Sequence, residues 1–168
     1  MTQHCLYVGD NLSLDLISEL TVSDGGVVQV TRLPTLLADQ VSIMLQLDLG
    51  SVEGQSRLLD WLRQNDAPTR FLCELQAFEF ASSDTRETRS ASDYLNAQVV
   101  GITRLLEAAL SLYPDLVWVF LKPVGADVWS EASEAYFRVL AEGLSAAVPS
   151  ARFDFLSMDE IQLGLDQI

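Results

Sequence analysis

Apolar residues in this chain fall in short runs, separated by longer stretches in which they recur at every third or fourth position. The runs are His4 to Val8, Val27 to Val30, Ser42 to Leu47, Arg70 to Leu75, Leu116 to Leu121 and Arg152 to Leu156. Unbroken apolar runs of this length suit strands buried on both faces of a parallel sheet. The clearest helical stretch is Asp93 to Tyr113, where Leu95, Val99, Ile102, Leu106, Ala109 and Tyr113 mark one face and Ser92 stands as N-cap. Val52 to Gln64 forms a second, with Leu58, Leu59 and Leu62 inward, and Ser130 to Ala147 another, stopped before Pro149. A shorter helix is predicted near Leu12 to Leu20, and Ser157 to Glu160 reads as a capping box opening a last helix through Leu165. Strands alternating with helices predict βαβ units. The fold expected is α/β: a three-layer, Rossmann-like single domain over residues 1–168, with a mostly parallel six-stranded sheet and helices on both faces. Residues 81–92, ASSDTRETRSAS, lack periodicity and predict one long loop. It falls at the C-terminal edge of the sheet, where it can serve as lid, partner contact or solvated connection.

Composition narrows the partners. The 168 residues include 24 acidic and 10 basic side chains, a formal charge of -14. That balance argues against nucleic acid and anionic lipid, whose phosphates need Lys and Arg. Although the mean hydropathy is +0.20, no apolar run reaches the ~20 residues of a membrane span. The opening MTQHCLYVGD lacks the basic start, apolar stretch and cleavage site of a secretory signal. Cys5 and Cys73 both lie in apolar runs, as reduced buried thiols would. The expectation is a cytoplasmic protein whose partners are proteins or small molecules.

From Leu45 onward the order of features resembles a short-chain dehydrogenase/reductase. LQLDLGSVEGQSRLLDWLRQ looks like that family's strand ending in an acid and its following helix, and RFLCELQA like its fourth strand. YLNAQVVGITRLLEAAL resembles the long central helix, DLVWVFLKPVG the fifth strand, and SEASEAYFRVLAEGLSAAVPSARFDFLS the catalytic helix and sixth strand. The resemblance implies a form without the further strand and substrate loop of the usual member. It also implies where chemistry should sit. The family uses a Tyr as general acid, a Lys four residues later and an orienting Ser. Ser130 stands at the tyrosine position, Glu134 at the lysine position, the Phe120-Leu121 region at the serine and Gln98 at the helix asparagine. Pyrophosphate binding needs glycines in the first turn. That turn reads Val8-Gly9-Asp10-Asn11-Leu12-Ser13-Leu14-Asp15, where only Gly9 remains and Asp10 and Asp15 repel phosphate. The chain is similar in character to the structural, cofactor-free subdomain of polyketide ketoreductases. The resemblance therefore implies a non-catalytic scaffold or protein-interaction domain with no cofactor, and a homodimer paired through residues 93–113 and 130–147.

A second reading uses the same sheet edge. Asp10-Asn11 after the first strand, Asp48 after the third and Lys122-Pro123 after the fifth resemble a phosphoacceptor receiver domain. There Asp48 would be the phosphoacceptor, Asp10 the Mg2+ ligand and Lys122 the phosphate sensor. Gln76 stands where such domains carry Thr or Ser. Acids also follow parallel strands simply because polar turns and helix caps begin there. An enzyme with relocated chemistry at Asp10, Asp48 and Lys122 is a third reading. His4, the sole histidine, begins the first strand far from that edge, so no Ser-His or Cys-His pair is expected, and His and Cys are too few for a metal cluster. Asp84 and Glu87 read as a solvated face. Of the three tryptophans, Trp129 is placed best to touch a partner, while Trp61 and Trp118 read as packing.

Overall fold

The computed structural model describes residues 3–32, 36–75, 99–122 and 128–161. The loop at 81–92, Ser92, Gln76, Gln98 and the last helix beyond Ile161 lie outside them, as does the side chain of Trp129. Six strands run β1 (Cys5–Val8), β2 (Val27–Thr31), β3 (Ile43–Gln46), β4 (Phe71–Glu74), β5 (Val117–Lys122) and β6 (Arg152–Ser157). They are joined in one sheet of order β3-β2-β1-β4-β5-β6, every pair parallel. The order reverses beside β1, which defines a doubly wound Rossmann sheet. The inner strands β1, β2 and β4 are buried at every residue, as their unbroken apolar runs predict. β3 and β6, at the two edges, are only partly covered.

The helices are α1 (Leu14–Asp24), α2 (Val52–Gln64), α3 (Ile102–Leu112) and α4 (Val128–Ala147). Local chemistry explains several of their ends. Ser13 caps α1 by accepting the Leu16 N–H at 3.2 Å, and Ser51 caps α2 through the Gly54 N–H at 3.0 Å. Gly25 closes α1 in the left-handed conformation at φ 81°, which a side chain would resist. A wide turn of π type at 99–101 leads into α3 without a side-chain cap.

The sheet separates two cores. On one face Leu58 and Leu62 of α2, Leu105, Leu106 and Ala109 of α3 and Phe137 of α4 pack on Leu6, Phe71, Trp118 and Phe120. On the other, Leu16, Ile17 and Leu20 of α1 pack on Cys5, Tyr7, Leu72 and Val119. Each such side chain contributes roughly 1.5–3 kcal/mol over its exposed state. Cys5 and Cys73 are free and buried, one in each core. Burial, reinforced by Asp24, pushes the Cys5 thiol up to about 12, and burial raises Cys73 as well. Both stay protonated and inert at neutral pH. Among the described residues no helix is long and apolar enough to cross a membrane.

Candidate functional site

The candidate site is the C-terminal edge of the sheet around the β1–α1 turn, where doubly wound folds hold their ligands. Several polar groups at the start of this turn are engaged by the chain itself. The Gly9 N–H donates to Val30 O at 3.0 Å, and the Gly9 carbonyl accepts from Gln29 Nε2, also at 3.0 Å. Asp10 accepts the Thr31 hydroxyl and, at 3.2 Å, the Arg32 N–H, which ties it to the end of β2. Asn11 donates its backbone N–H to Glu74 Oε2 at 3.2 Å and its side-chain amide to Glu74 Oε1.

Glu74 is the residue that sequence reasoning missed. It ends β4, beside β1, and is only 2% exposed. A Cβ at Gly9 would lie 1.9 Å from its Oε2 and 2.7 Å from its Cβ. Gly9 is thus needed for the approach of Glu74. The available signal was an acid closing an otherwise apolar central strand, since carboxylates are rarely buried without partners. Burial raises the Glu74 carboxyl above its ordinary value, against the lowering effect of the Asn11 hydrogen bonds. The Tyr7 phenol is raised too, by burial and then by Glu74.

This shift fixes a pH dependence. The folded chain holds the Glu74 proton more tightly than the unfolded chain does, so the favourable contribution is complete below the ordinary carboxyl value. It is lost as pH rises through the raised folded value, and is constant beyond. In urea melts across that window, wild-type stability is expected to fall relative to Glu74→Gln and then run parallel to it. A pH-independent difference would show that Glu74 carries no raised affinity for its proton.

The positions implied by the dehydrogenase resemblance form a separate group on α4. Ser130 is fully buried. Glu134 pairs with Lys122 Nζ at 2.9 Å and with Arg138 Nη2 at 2.7 Å, and the Arg138 guanidinium lies 4.2 Å from the centre of the Phe155 ring. Burial would raise the Glu134 carboxyl, but hydrogen bonds from Lys122 and Arg138 hold it below its ordinary value; the same contact raises Lys122. Lys122 is thereby anchored to α4.

Asp10, Asp48 and Lys122 do not converge as the receiver-like grouping requires. β2 lies between β1 and β3, which sets Asp10 and Asp48 roughly 10 Å apart, and four strand spacings put Asp48 roughly 19 Å from Lys122. Parallel sheets of the receiver type run 2-1-3-4-5, with the third strand directly beside the first; here it is the edge. Asp48 builds the turn into α2, its carboxylate accepting the Gly50 N–H at 2.9 Å. His4 lies at the opposite end of the sheet, edge-on to Trp61. Among the described residues no group of three His, Cys, Asp or Glu could hold a metal.

The architecture is that of known enzymes. It matches a short-chain dehydrogenase from Leptospira borgpetersenii with bound NAD+ (TM-score 0.70, 14% identity, 93% of this chain and 70% of that one). A short-chain dehydrogenase from Streptomyces avermitilis gives 0.66 at 20% identity over 93% of this chain and 65% of that one. The bulky-bulky ketone specific alcohol dehydrogenase from Comamonas testosteroni gives 0.67 at 15% identity over 99% and 83%. No protein-family model and no curated protein matches the chain. The protein has the Rossmann-like fold of the short-chain dehydrogenases/reductases; at these identities the likeness is one of fold. The dinucleotide that this fold implies does not fit the residues present. The bare face of Gly9 and the Asn11 N–H are covered by Glu74, a carboxylate that would oppose a pyrophosphate.

Proposed function

We propose that this chain is a non-catalytic, cytoplasmic scaffold or protein-interaction domain of short-chain dehydrogenase build that associates with a second copy of itself. The observation that carries the loss of catalysis is the Lys122–Glu134–Arg138 cluster. At the position where hydride-transfer chemistry uses a lysine to lower a tyrosine pKa, the chain has an acid neutralised by two cations, and a buried serine replaces the tyrosine.

Self-association is argued from α4. Its outer face exposes Ala132, Ala135, Tyr136, Val139, Gly143 and Ala146, with Val139 72% exposed. A Cβ at Gly143 would meet nothing within 4 Å, so this face is open to close approach. A two-fold axis through Val139 sets Ala132 opposite Ala146 of the partner subunit, and Ala135 opposite Gly143 of the partner subunit. The small positions of the stripe are therefore self-complementary in size, as an isologous interface must be. Tyr136 hydrogen-bonds Thr103 at 3.1 Å, which carries the surface onto α3.

Light scattering at micromolar concentration should give the mass of a dimer for the wild type. Val139→Glu should give the mass of a monomer, with stability changed by no more than about 0.5 kcal/mol, since the residue is exposed within the protomer. A wild-type monomer would remove the self-association reading, while NADPH turnover with any carbonyl substrate would remove the non-catalytic one.

A further inference from the structure

A buried carboxylate accepting a backbone N–H over the bare face of a glycine does what a bound anion does at such a turn. We infer that Glu74 is an internal ligand of the β1–α1 turn, its carboxylate occupying the seat formed by Gly9 and the Asn11 amides and closing it to a free phosphate or carboxylate. Three observations meet there. Glu74 Oε2 lies where a Cβ on Gly9 would fall, at 1.9 Å from that position. Both Glu74 oxygens take amide hydrogens from Asn11, across 63 residues of chain. The carboxylate is buried on a strand flanked by two others, so it is held in place by the sheet and not by a mobile loop.

The groups facing Glu74 have a bearing on the charge the seat will accept. Tyr7 comes from β1 and Asp10 from the turn; Tyr7 stays neutral because burial raises its phenol. With Asp10 tied to Thr31 and Arg32, the amides of Asn11 are turned to Glu74. A single small carboxylate placed on them reproduces the wild-type group, whereas a dinucleotide pyrophosphate brings two phosphates. The inference goes beyond the scaffold reading and stands apart from it: the seat can be internally filled whether or not the chain pairs.

Removal of the internal ligand should leave a vacancy of known chemistry. Glu74→Ala is expected to melt below wild type and to regain stability with formate along a saturation curve, as a ligand that binds only the folded state requires. Formamide, which offers one acceptor oxygen where the two Asn11 amides are met by two carboxylate oxygens, should not restore it at equal concentration, and wild type at matched ionic strength should respond to neither formate, inorganic phosphate nor NADPH. Equal restoration by formamide would show a cavity being filled and not an anion seat, and would overturn the inference. So would a wild-type response to phosphate or NADPH. Should Glu74→Ala not fold, the wild type and Glu74→Gln supply the same decision by NMR. The Asn11 backbone and side-chain amide resonances should follow a carboxyl titration in wild type that is absent from Glu74→Gln; Asn11 resonances indifferent to pH in wild type would sink the idea. Solution mass reads the scaffold proposal and formate response reads this one, so either can fail alone.

Discussion

Phe120→Ala should cost about 3–5 kcal/mol of unfolding free energy, as large-to-small changes of buried aromatics do. Phe120 is 1% exposed on β5 and sits at the junction of three elements. Its ring stacks on Phe137 of α4 at 4.9 Å and on Phe155 of β6 at 4.8 Å, with Trp118 at 5.9 Å. Truncation removes the shared partner of all three and leaves a cavity that the sheet backbone cannot collapse to fill. Urea denaturation followed by tryptophan fluorescence would measure it, with the slope against denaturant unchanged if the exposed surface is unchanged. Phe120→Leu should retain much of the loss-prone contact and cost clearly less. A Phe120→Ala change below about 1 kcal/mol would mean that the aromatic stack does not hold α4 to the sheet, given the range expected for such truncations. The consequence reaches the proposed function, because α4 carries both the Lys122–Glu134–Arg138 cluster and the self-complementary face.

The second large effect belongs to Asp24 at the end of α1. Its carboxylate is 2% exposed and accepts from Arg70 Nε at 3.0 Å and from the Thr69 hydroxyl at 2.5 Å. Arg70, whose side chain is 13% exposed, leads into β4, so the pair fastens α1 to the central strands. Asp24→Ala leaves the largely buried guanidinium without this carboxylate, and breaking one side of such a pair costs about 3–5 kcal/mol. The double change Asp24→Leu/Arg70→Met removes both charges. It should recover most of that loss, because the desolvation of two ions is then avoided. Thermal and urea melts of the two variants decide it: a double variant as unstable as Asp24→Ala would place the loss in the Thr69 and Ser23 hydroxyl contacts instead of the ion pair.

Much of the secondary structure was legible along the chain. β1 to β6 each fall within a residue or so of an apolar run, and α2 lies at its predicted bounds, because buried strands and amphipathic helices impose their own periods on the sequence. Ser130 to Ala147 began two residues late against α4, an ordinary uncertainty of helix ends. The strands were expected to be mostly buried on both faces, and β3 and β6 are the exceptions, since edge position is a property of strand order and not of any one strand's composition. The resemblance set Ser130 and Glu134 four residues apart on one helix, and the structure pairs Glu134 with Lys122 of β5.

The sequence by itself determined which segments become strands and helices, the acidic surface, the buried thiols and the lack of glycines beyond Gly9 in the first turn. These are local properties: each depends on residues a few positions apart, where spacing and side-chain type suffice. Only the tertiary structure decided who meets whom. Strand order drew Asp10, Asp48 and Lys122 apart, brought Glu74 onto Asn11 across 63 residues and joined Asp24 to Arg70 across 46. Such pairs are set by the neighbours each strand acquires in the sheet. A residue's own surroundings in sequence carry no record of them, since the free energy of a buried charge is fixed by the partner that folding places beside it.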